Sequence, residues 1–209
     1  MTPQNLAANT RPGRWTKAER KRQIAAIALD LIATHGVQSL TLRQIASAAG
    51  ISPPALYNHF SSRTEILIAV LDLIKDRVFE WIDSSRNPNI YERLRELAGS
   101  VHESKIVEHP ESAILPLFEL IAAGRDEQLT EQLAQRQLAT VQRLADIVDE
   151  GKKQGTIGKD VDSKVVAWSL LGFGYAKDIA LLQGVSSFVT DGTADKILDK
   201  LLRDVAAKP

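Results

Sequence analysis

Polar, aromatic and basic side chains are concentrated between residues 41 and 63, in the segment TLRQIASAAGISPPALYNHFSSR. Tyr57, Asn58 and His59 follow one another there, with Arg43 before them and Arg63 after them. Side chains of these types hydrogen-bond to base edges and to phosphates in protein–DNA complexes. The chemistry that this segment suits is therefore contact with DNA. The alternative is that these side chains form an ordinary solvated helix face.

Residues suited to catalysis or metal binding are few. The chain has no cysteine, which excludes disulfide frameworks, thiolate zinc sites and thiol nucleophiles. His35 lies at a predicted helix end beside Gly36, and His102 and His109 lie seven residues apart without a His-x-x-x-His pattern. There is no phosphate-binding loop, Gly-x-Ser-x-Gly elbow or paired carboxylate set. The sequence predicts no metal site, no cofactor and no enzymatic activity.

Two short helices and a tight turn are predicted to position the polar segment. Thr41 followed by Gln44 forms a capping box that begins the first helix, and Gly50 tolerates positive φ in the turn. Ser52 followed by proline begins the second helix, predicted over residues 53–60. This is the pattern of a helix-turn-helix, whose second helix enters the major groove of DNA.

The second helix is predicted to have an inner and an outer face. Leu56 and Phe60 are one turn apart and are expected to face the core, which leaves the residues around them directed outward. We expect Arg43 to approach the groove, and Arg63 to hold a phosphate. The predicted DNA-contact residues are Lys17, Thr41, Arg43, Gln44, Ser52, Pro53, Ala55, Tyr57, Asn58, His59 and Arg63.

The same residues resemble a known family. The segments TLRQIASAAGIS and YNHFSSRTEIL are similar to the signature of the tetracycline-repressor (TetR) family, and GKKQGTIGKDVD looks like the entry to its penultimate helix. That family more often has lysine where this chain has Arg63, a change that keeps the charge but alters the geometry of a phosphate contact. The resemblance implies a homodimeric regulator that binds a double-stranded DNA operator and a small-molecule effector.

Charge is distributed unevenly along the chain. The formal net charge is zero, yet residues 11–63 hold eight Lys and Arg against two Asp and Glu. This segment therefore carries +6 and the remainder carries −6. A basic end favours polyanions, and an acidic remainder keeps the rest of the surface off the DNA. Taken alone, a basic run is also typical of solvated surface.

Length and composition predict a cytoplasmic protein. The 209 residues can hold a small domain and a larger one. We find no apolar run near 20 residues and no apolar N-terminal signal segment, so neither membrane insertion nor secretion is indicated.

The chain has helical periodicity beyond the motif and no convincing strand. A capping box at Thr16 begins a helix that ends near Gly36, and Ser62 begins a long helix that reaches a turn at Asn87. Pro116 is expected to kink or split a helix. The other predicted helices cover residues 89–107, 110–123, 126–152, 162–183 and 193–206.

The predicted fold is therefore all-α, with about nine helices. A mobile tail is predicted at residues 1–13, and a three-helix helix-turn-helix domain at residues 14–61. Residues 62–209 are predicted to form a helical ligand-binding and dimerisation domain.

The last two long helices are predicted to form a dimer interface. The helix over residues 162–183 is apolar or small almost all round and must be covered on more than one side, with a close backbone approach expected at Gly174. In the family that the chain resembles, these helices pair with their two-fold mates as a four-helix bundle. The alternative is that they pack within one chain. We predict a homodimer because two reading heads bind two half-sites.

A ligand pocket in the larger domain is a hypothesis that depends on the resemblance. Its predicted residues are Trp81, Phe118, Trp168, Phe173 and Tyr175, with His102 as a polar anchor. The alternative is that these aromatic residues are plain core. We see no excess of acids and no basic cluster, which favours a neutral or weakly polar apolar compound.

These observations predict a DNA-binding transcriptional repressor that releases a palindromic operator when a small apolar effector binds. A second hypothesis is an effector-independent helical DNA-binding protein with an architectural or partner-recruiting role. A third is a small helical enzyme. Ligand-dependent release from the operator separates the first from the second, and turnover of a bound compound would identify the third.

Overall fold

The computed structural model describes residues 15–99, 114–123 and 127–207. Ten helices and no β-strand lie in these ranges, in agreement with the predicted all-α fold. In chain order they are α1 (Lys17–His35), α2 (Leu42–Ala48), α3 (Pro53–Tyr57), α4 (Arg63–Ile82), α5 (Ile90–Gly99), α6 (Leu115–Ala122), α7 (Glu127–Gln154), α8 (Ser163–Leu182), α9 (Ser187–Thr190) and α10 (Thr193–Val205).

The first three helices and the start of α4 share one hydrophobic core, and we call this part the head. Thr41 and Gln44 close the capping box that begins α2, because the N–H of Gln44 donates to Thr41 Oγ1 at 3.2 Å and the N–H of Thr41 donates to Gln44 Oε1 at 2.9 Å. Ile24, Ile45 and Ile66 are completely buried. Burial of each such side chain contributes about 1.5 to 3 kcal/mol, so the two short helices are held mainly by packing.

The long helix α4 belongs to both parts of the molecule. Near its start, Ile66 and Leu67 lie in the head core, and at its end Ile82 lies in a second core formed with α5, α7, α8 and α10. We call this second part the body. A helix of 20 residues is about 30 Å long, so α4 connects the head rigidly to the far end of the body.

The C-terminal segment is tied to the loop after α7. The N–H of Gly158 donates to the carbonyl of Val205 at 3.0 Å, and the N–H of Ala207 donates to the carbonyl of Thr156 at 3.2 Å. These bonds fix α10 along the body, where Leu198 and Leu202 are buried.

Some helix boundaries differ from the sequence-based expectation. Helix α3 ends at Tyr57 because the next turn tightens, with the N–H of His59 bonded to the carbonyl of Leu56 at 2.9 Å. Pro116 lies in the first turn of α6, where its missing N–H costs no hydrogen bond, and so it begins a helix instead of kinking one. The short helix α9 was not predicted from the sequence, and the predicted tail at residues 1–13 lies outside the described residues.

One of the described helices, α8, is long and apolar enough to cross a membrane by length and composition. The expectation that the chain has no apolar run of this length is therefore corrected. Lys177 lies within this helix and is buried in the body, with its Nζ 5.7 Å from the ring centre of Phe173.

Candidate nucleic-acid interface and ligand cavity

The turn between α2 and α3 is closed by a Schellman motif. Gly50 has a φ of +65°, and the N–H groups of Gly50 and Ile51 donate to the carbonyls of Ser47 and Ala46 at 3.1 and 3.0 Å. Ser52 Oγ then accepts an N–H of α3 at 3.3 Å. The polar groups at this turn are satisfied locally, so the direction in which α3 leaves it is fixed.

Helix α3 presents the outward face that its sequence predicts. Leu56 and Phe60 are buried in the head core, whereas Asn58 is exposed and Tyr57 is 56% exposed. His59 is half-buried, and its Nδ1 is buried without a hydrogen-bond partner.

The two capping residues of α2, Thr41 and Gln44, are hydrogen-bonded to one another. Thr41 Oγ1 donates to Gln44 Oε1 at 2.7 Å, in addition to the two backbone bonds of the capping box. Both residues are exposed, and the amide nitrogen of Gln44 remains a donor at the surface of the head. Their contact with DNA stays a prediction.

The basic residues of the head have two kinds of environment. Arg20 donates to a backbone carbonyl at the end of α2 at 3.0 Å, and Lys21 forms an ion pair with Glu65 at 2.6 Å. The hydrogen bond from Lys21 is the largest cause of a pKa for Glu65 that is lowered to about 2. Lys17 and Arg43 are exposed and make no hydrogen bond or ion pair with other described residues, so their charges face solvent.

Arg63 is engaged within the head. Its Nε donates to the carbonyl of Leu40 at 3.0 Å, and its Nη2 donates to the carbonyl of Val37. The motif predicted a phosphate contact for Arg63 and gave no sign of this role, because the loop that Arg63 holds lies more than 20 residues earlier in the chain. A phosphate contact by its remaining donors stays a prediction.

Glu119 on α6 holds the same loop from the side of the body. Its Oε2 accepts the N–H of Val37. A Cβ placed on Gly36 would stand 3.2 Å from that oxygen, and Gly36 has a φ of +77°, so the backbone conformation favours glycine and a side chain would also press on the carboxylate. Nothing in the sequence indicated Glu119, which lies 82 positions from its partner.

A cavity of about 660 Å³ lies in the body, between α4, α5, α6, α7 and α8. This volume is within the range of small-molecule sites, and most of the lining residues are apolar. Ile82, Leu94 and Leu144 line the part that is farthest from the head, and they belong to the core of the body.

The polar lining residues lie nearer the head. Lys75 precedes Ile82 by seven residues on α4, and Arg136 precedes Leu144 by eight on α7, which places each about 10 to 12 Å from the apolar end. The other polar residues that line the cavity are Thr130, Gln137, Thr140, Tyr175, Lys177 and Asp178. The cavity therefore has an apolar end and a polar end.

Hydrogen bonds and ion pairs organise the polar end. Tyr175 Oη donates to Gln137 Oε1 at 2.6 Å, and Arg136 pairs with Asp72 at 2.7 Å. Burial lowers the pKa of Lys177 to about 8 and raises the pKa of Asp178 to about 6. Both charged groups thus lack part of the stabilisation that water would give them.

The structure places the predicted ligand residues in three environments. Trp81, Phe173 and Tyr175 line the cavity. Phe118 packs edge-on against Tyr175, with ring centres 6.0 Å apart, and supports the wall from behind. Trp168 lies on the outer face of α8, so its assignment to the cavity is corrected.

The polar anchor also differs from the expectation. His102 lies outside the described residues, and at the polar end only Tyr175 was predicted from the sequence, whereas Lys75, Arg136, Gln137, Lys177 and Asp178 were not. Lys75, Arg136 and Lys177 all line the cavity, and the first two are paired with Asp76 and Asp72 of α4 at 3.4 and 2.7 Å. These residues lie on three different helices and are distant in sequence, so no local pattern could reveal them.

An apolar stripe on α8 faces solvent in the single chain. Its exposed residues, three or four positions apart, are Val165, Trp168, Gly172, Ala176 and Ile179. Gly174 lies on the opposite face, where it lines the cavity, and a Cβ placed on it would meet no other atom within 4 Å. The expected close backbone approach at Gly174 is therefore not made within the chain.

Metal ligands are not clustered in the part of the chain that the structure describes. No group of three or more His, Asp or Glu side chains there could hold a metal ion. His35 is exposed at the end of α1, and His109, like His102, falls outside the described ranges.

The head with its helix-turn-helix and outward α3 is the structural unit of a DNA-binding regulator. Residues 24–70 match the family model for bacterial regulatory proteins of the tetR family, and they extend from α1 into α4. Residues 24–70 are thus a DNA-binding domain of the tetR family type, and the chain is a DNA-binding transcriptional regulator.

Similar proteins extend the likeness into the body. The transcriptional repressor KstR2 of Mycobacterium tuberculosis is 26% identical over 151 residues, which cover 70% of this chain and 74% of that protein. The transcriptional activator FasR of Mycolicibacterium smegmatis is 29% identical over 111 residues, 53% of this chain and about half (51%) of FasR. A TetR transcription regulator from Haloarcula marismortui has the same fold, with a TM-score of 0.73 at 20% identity over 90% of this chain and 99% of that one.

Proposed function

We propose that the chain acts in the cytoplasm as a homodimeric repressor of a palindromic operator, and that a small molecule in the body cavity weakens operator binding. One observation carries this proposal. Helix α4 begins at Arg63, which holds the loop before α2, and its other end lines the cavity through Trp81 and Ile82. A ligand that favours a different tilt of α4 therefore favours a different position of the head.

The outward face of α3 supports major-groove binding. Tyr57 and Asn58 are exposed there, and Arg43 lies exposed at the start of α2. We assign Arg43 and Asn58 to base edges, and Lys17 and His59 to phosphates. Two heads related by a two-fold axis would read half-sites about 34 to 36 Å apart, or a multiple of that distance.

The apolar stripe on α8 supports the dimer. A two-fold axis through the stripe would place the same residues of both copies against one another, and the small side chains at Gly172 and Ala176 would let the helices approach closely. Ile197 on α10 is also exposed and apolar, so it extends the surface to the second helix of a four-helix bundle. Burial of Trp168 and Val165 would remove large apolar groups from water.

The two ends of the cavity support an amphipathic effector. An apolar body would lie against Leu94 and Leu144, and a polar group would meet Gln137 and Lys177. Gln137 Oε1 already accepts from Tyr175, so the remaining groups of that amide are donors. Donors and cations at this end favour a ligand whose polar group accepts hydrogen bonds, such as a carboxylate.

The test begins with the full-length chain and its operator. Selection from random-sequence DNA should yield a palindrome, and sedimentation should give a dimer that binds it. Trp81 then reports on the cavity in a Trp15→Phe, Trp168→Phe background, with dodecanoate and dodecanol as probes. We expect dodecanoate to change the emission of Trp81 and to weaken operator binding. Unchanged operator affinity at saturating probe would favour an effector-independent DNA-binding protein.

A catalytic role has no support from the relatives. KstR2 and FasR are named as transcriptional regulators, and the cavity wall combines charged groups with hydrogen bonds that suit ligand binding. We therefore propose that a bound compound is released unchanged. Recovery of a chemically altered probe after incubation with the protein would contradict this.

A further inference from the structure

We propose that Glu119 is a positioning residue for DNA recognition, which couples a wall of the cavity to the helix-turn-helix through the loop between α1 and α2. The proposal rests on the proposed function in one respect, namely that occupation of the cavity changes operator binding. It adds a second connection between body and head, distinct from α4, and assigns it to a single carboxylate.

Helix α6 faces the head core and the cavity at the same time. Leu120 is completely buried in the core of the head, beside residues of α1 and α4. Leu117 and Ile121 line the cavity. Positions 117, 120 and 121 of one short helix thus touch both regions, so a ligand that displaces the wall must also displace the contacts of α6 with the head.

Glu119 adds a hydrogen bond to this packing contact between α6 and the head. Val37 is buried, and the acceptor of its N–H is the Glu119 carboxylate. The carboxylate lies against Gly36 at the C-terminal end of α1, where the helix dipole disfavours negative charge. Its position there is therefore explained by the bond to Val37 and not by the charge of the helix end.

The loop that Glu119 holds leads directly into the first helix of the helix-turn-helix. Four residues after Val37, Thr41 caps α2, and Arg43 follows in the first turn of that helix. Loss of the acceptor would leave a buried N–H unsatisfied or allow the loop to shift until it finds another partner. Either change moves the start of α2 relative to the body.

The experiment is a double-mutant cycle in the full-length chain, read on an operator selected with the wild-type protein. The first change is Glu119→Ala, with Glu119→Gln as the conservative variant that keeps an acceptor. The second is Ile121→Trp, which pushes on the cavity wall without any ligand. Glu150→Ala is the matched control, because Glu150 is exposed on α7 and its loss changes the net charge equally.

We expect Glu119→Ala to weaken operator binding about tenfold, as loss of a charge-assisted hydrogen bond would, while binding to random DNA stays within about twofold. The amide of Val37 should exchange faster with solvent deuterium. Glu119→Gln should restore most of the affinity. Ile121→Trp should weaken operator binding in the wild-type background and should have little further effect after Glu119→Ala.

The inference is overturned if Glu119→Ala binds the operator like the wild type, or if Ile121→Trp has the same effect in both backgrounds. Equal losses for Glu119→Ala and Glu150→Ala would also overturn it, because they would reduce the effect to charge. Failure of the proposed function looks different, since saturating dodecanoate would then leave the operator affinity of the wild-type chain unchanged.

Discussion

Glu119 and Arg63 bind the same residue, since Val37 donates its N–H to the Glu119 carboxylate and accepts at its carbonyl from the Arg63 guanidinium. One of these side chains comes from α6 and the other from the first residue of α4. The loop before α2 is therefore held by both helices that connect the head to the cavity. A displacement of either helix would therefore be transmitted to the helix-turn-helix through Val37.

Arg63 is expected to stabilise the head more than a surface arginine would. Arg63→Ala removes donors to two backbone carbonyls and should lower the free energy of unfolding by about 2 kcal/mol. Arg63→Lys should recover only part of this, since one ammonium cannot reproduce the fork of the guanidinium. Urea unfolding measures the effect, with the exposed Arg43→Ala as the control. An unchanged midpoint for Arg63→Ala would contradict the structural role.

Arg43 and Lys17 should differ in how they affect DNA binding. If Arg43 reads a guanine, Arg43→Ala should cost about 1 to 3 kcal/mol on the operator and relax the preference at one position. Lys17→Ala should weaken operator and random DNA alike and reduce the salt slope by about one. Titrations at several salt concentrations measure both. Equal losses on operator and random DNA for Arg43→Ala would remove it from the base-reading set.

The dimer should depend on Gly172 and not on Gly174. Gly172→Glu would place a charge in the centre of the apolar stripe on α8, and we expect sedimentation to show a monomer. Gly174 faces the cavity and has space for a methyl group, so the dimer should persist in Gly174→Ala. A dimer that survives Gly172→Glu would place the interface on another surface.

The polar end of the cavity should select the head group of the ligand. Gln137→Leu removes amide donors and the acceptor of Tyr175, while it keeps the size of the side chain. We expect the affinity for dodecanoate to fall about fivefold to tenfold, and that for dodecane-like apolar probes to stay the same or rise. Emission of Trp81 measures binding. Equal losses for both probes would indicate a general disturbance of the wall.

The stability of the head should fall in acid because of Glu65. Its pKa is lowered from the ordinary 4.5 to about 2, chiefly by the hydrogen bond from Lys21, so the unfolded chain binds a proton more readily than the folded one between these values. The stabilisation is present above about pH 4.5 and is lost as the pH falls towards 2. Thermal unfolding followed by circular dichroism should show a smaller loss in this range for Lys21→Met, and an identical pH dependence would contradict the assignment.

The sequence by itself determined the head. Thr41 with Gln44, Gly50, and Ser52 specify two helix starts and a turn through bonds between residues that are at most five positions apart. Local signals of this kind do not depend on the rest of the fold, and so the motif, its outward residues and its class of function could be predicted. The long amphipathic stripe of α4 was predicted for the same reason, since one face of a helix has to be buried.

Only the tertiary structure decided which side of α8 faces the cavity. The sequence of a helix that is apolar almost all round does not show which face is buried. It therefore could not show that Phe173 and Gly174 line the cavity while Trp168 and Gly172 face outward. The polar end of the cavity likewise combines Lys75 of α4 with polar residues of α7 and α8. Such groups become neighbours only when distant helices pack, because their proximity is fixed by the whole core and by no local spacing.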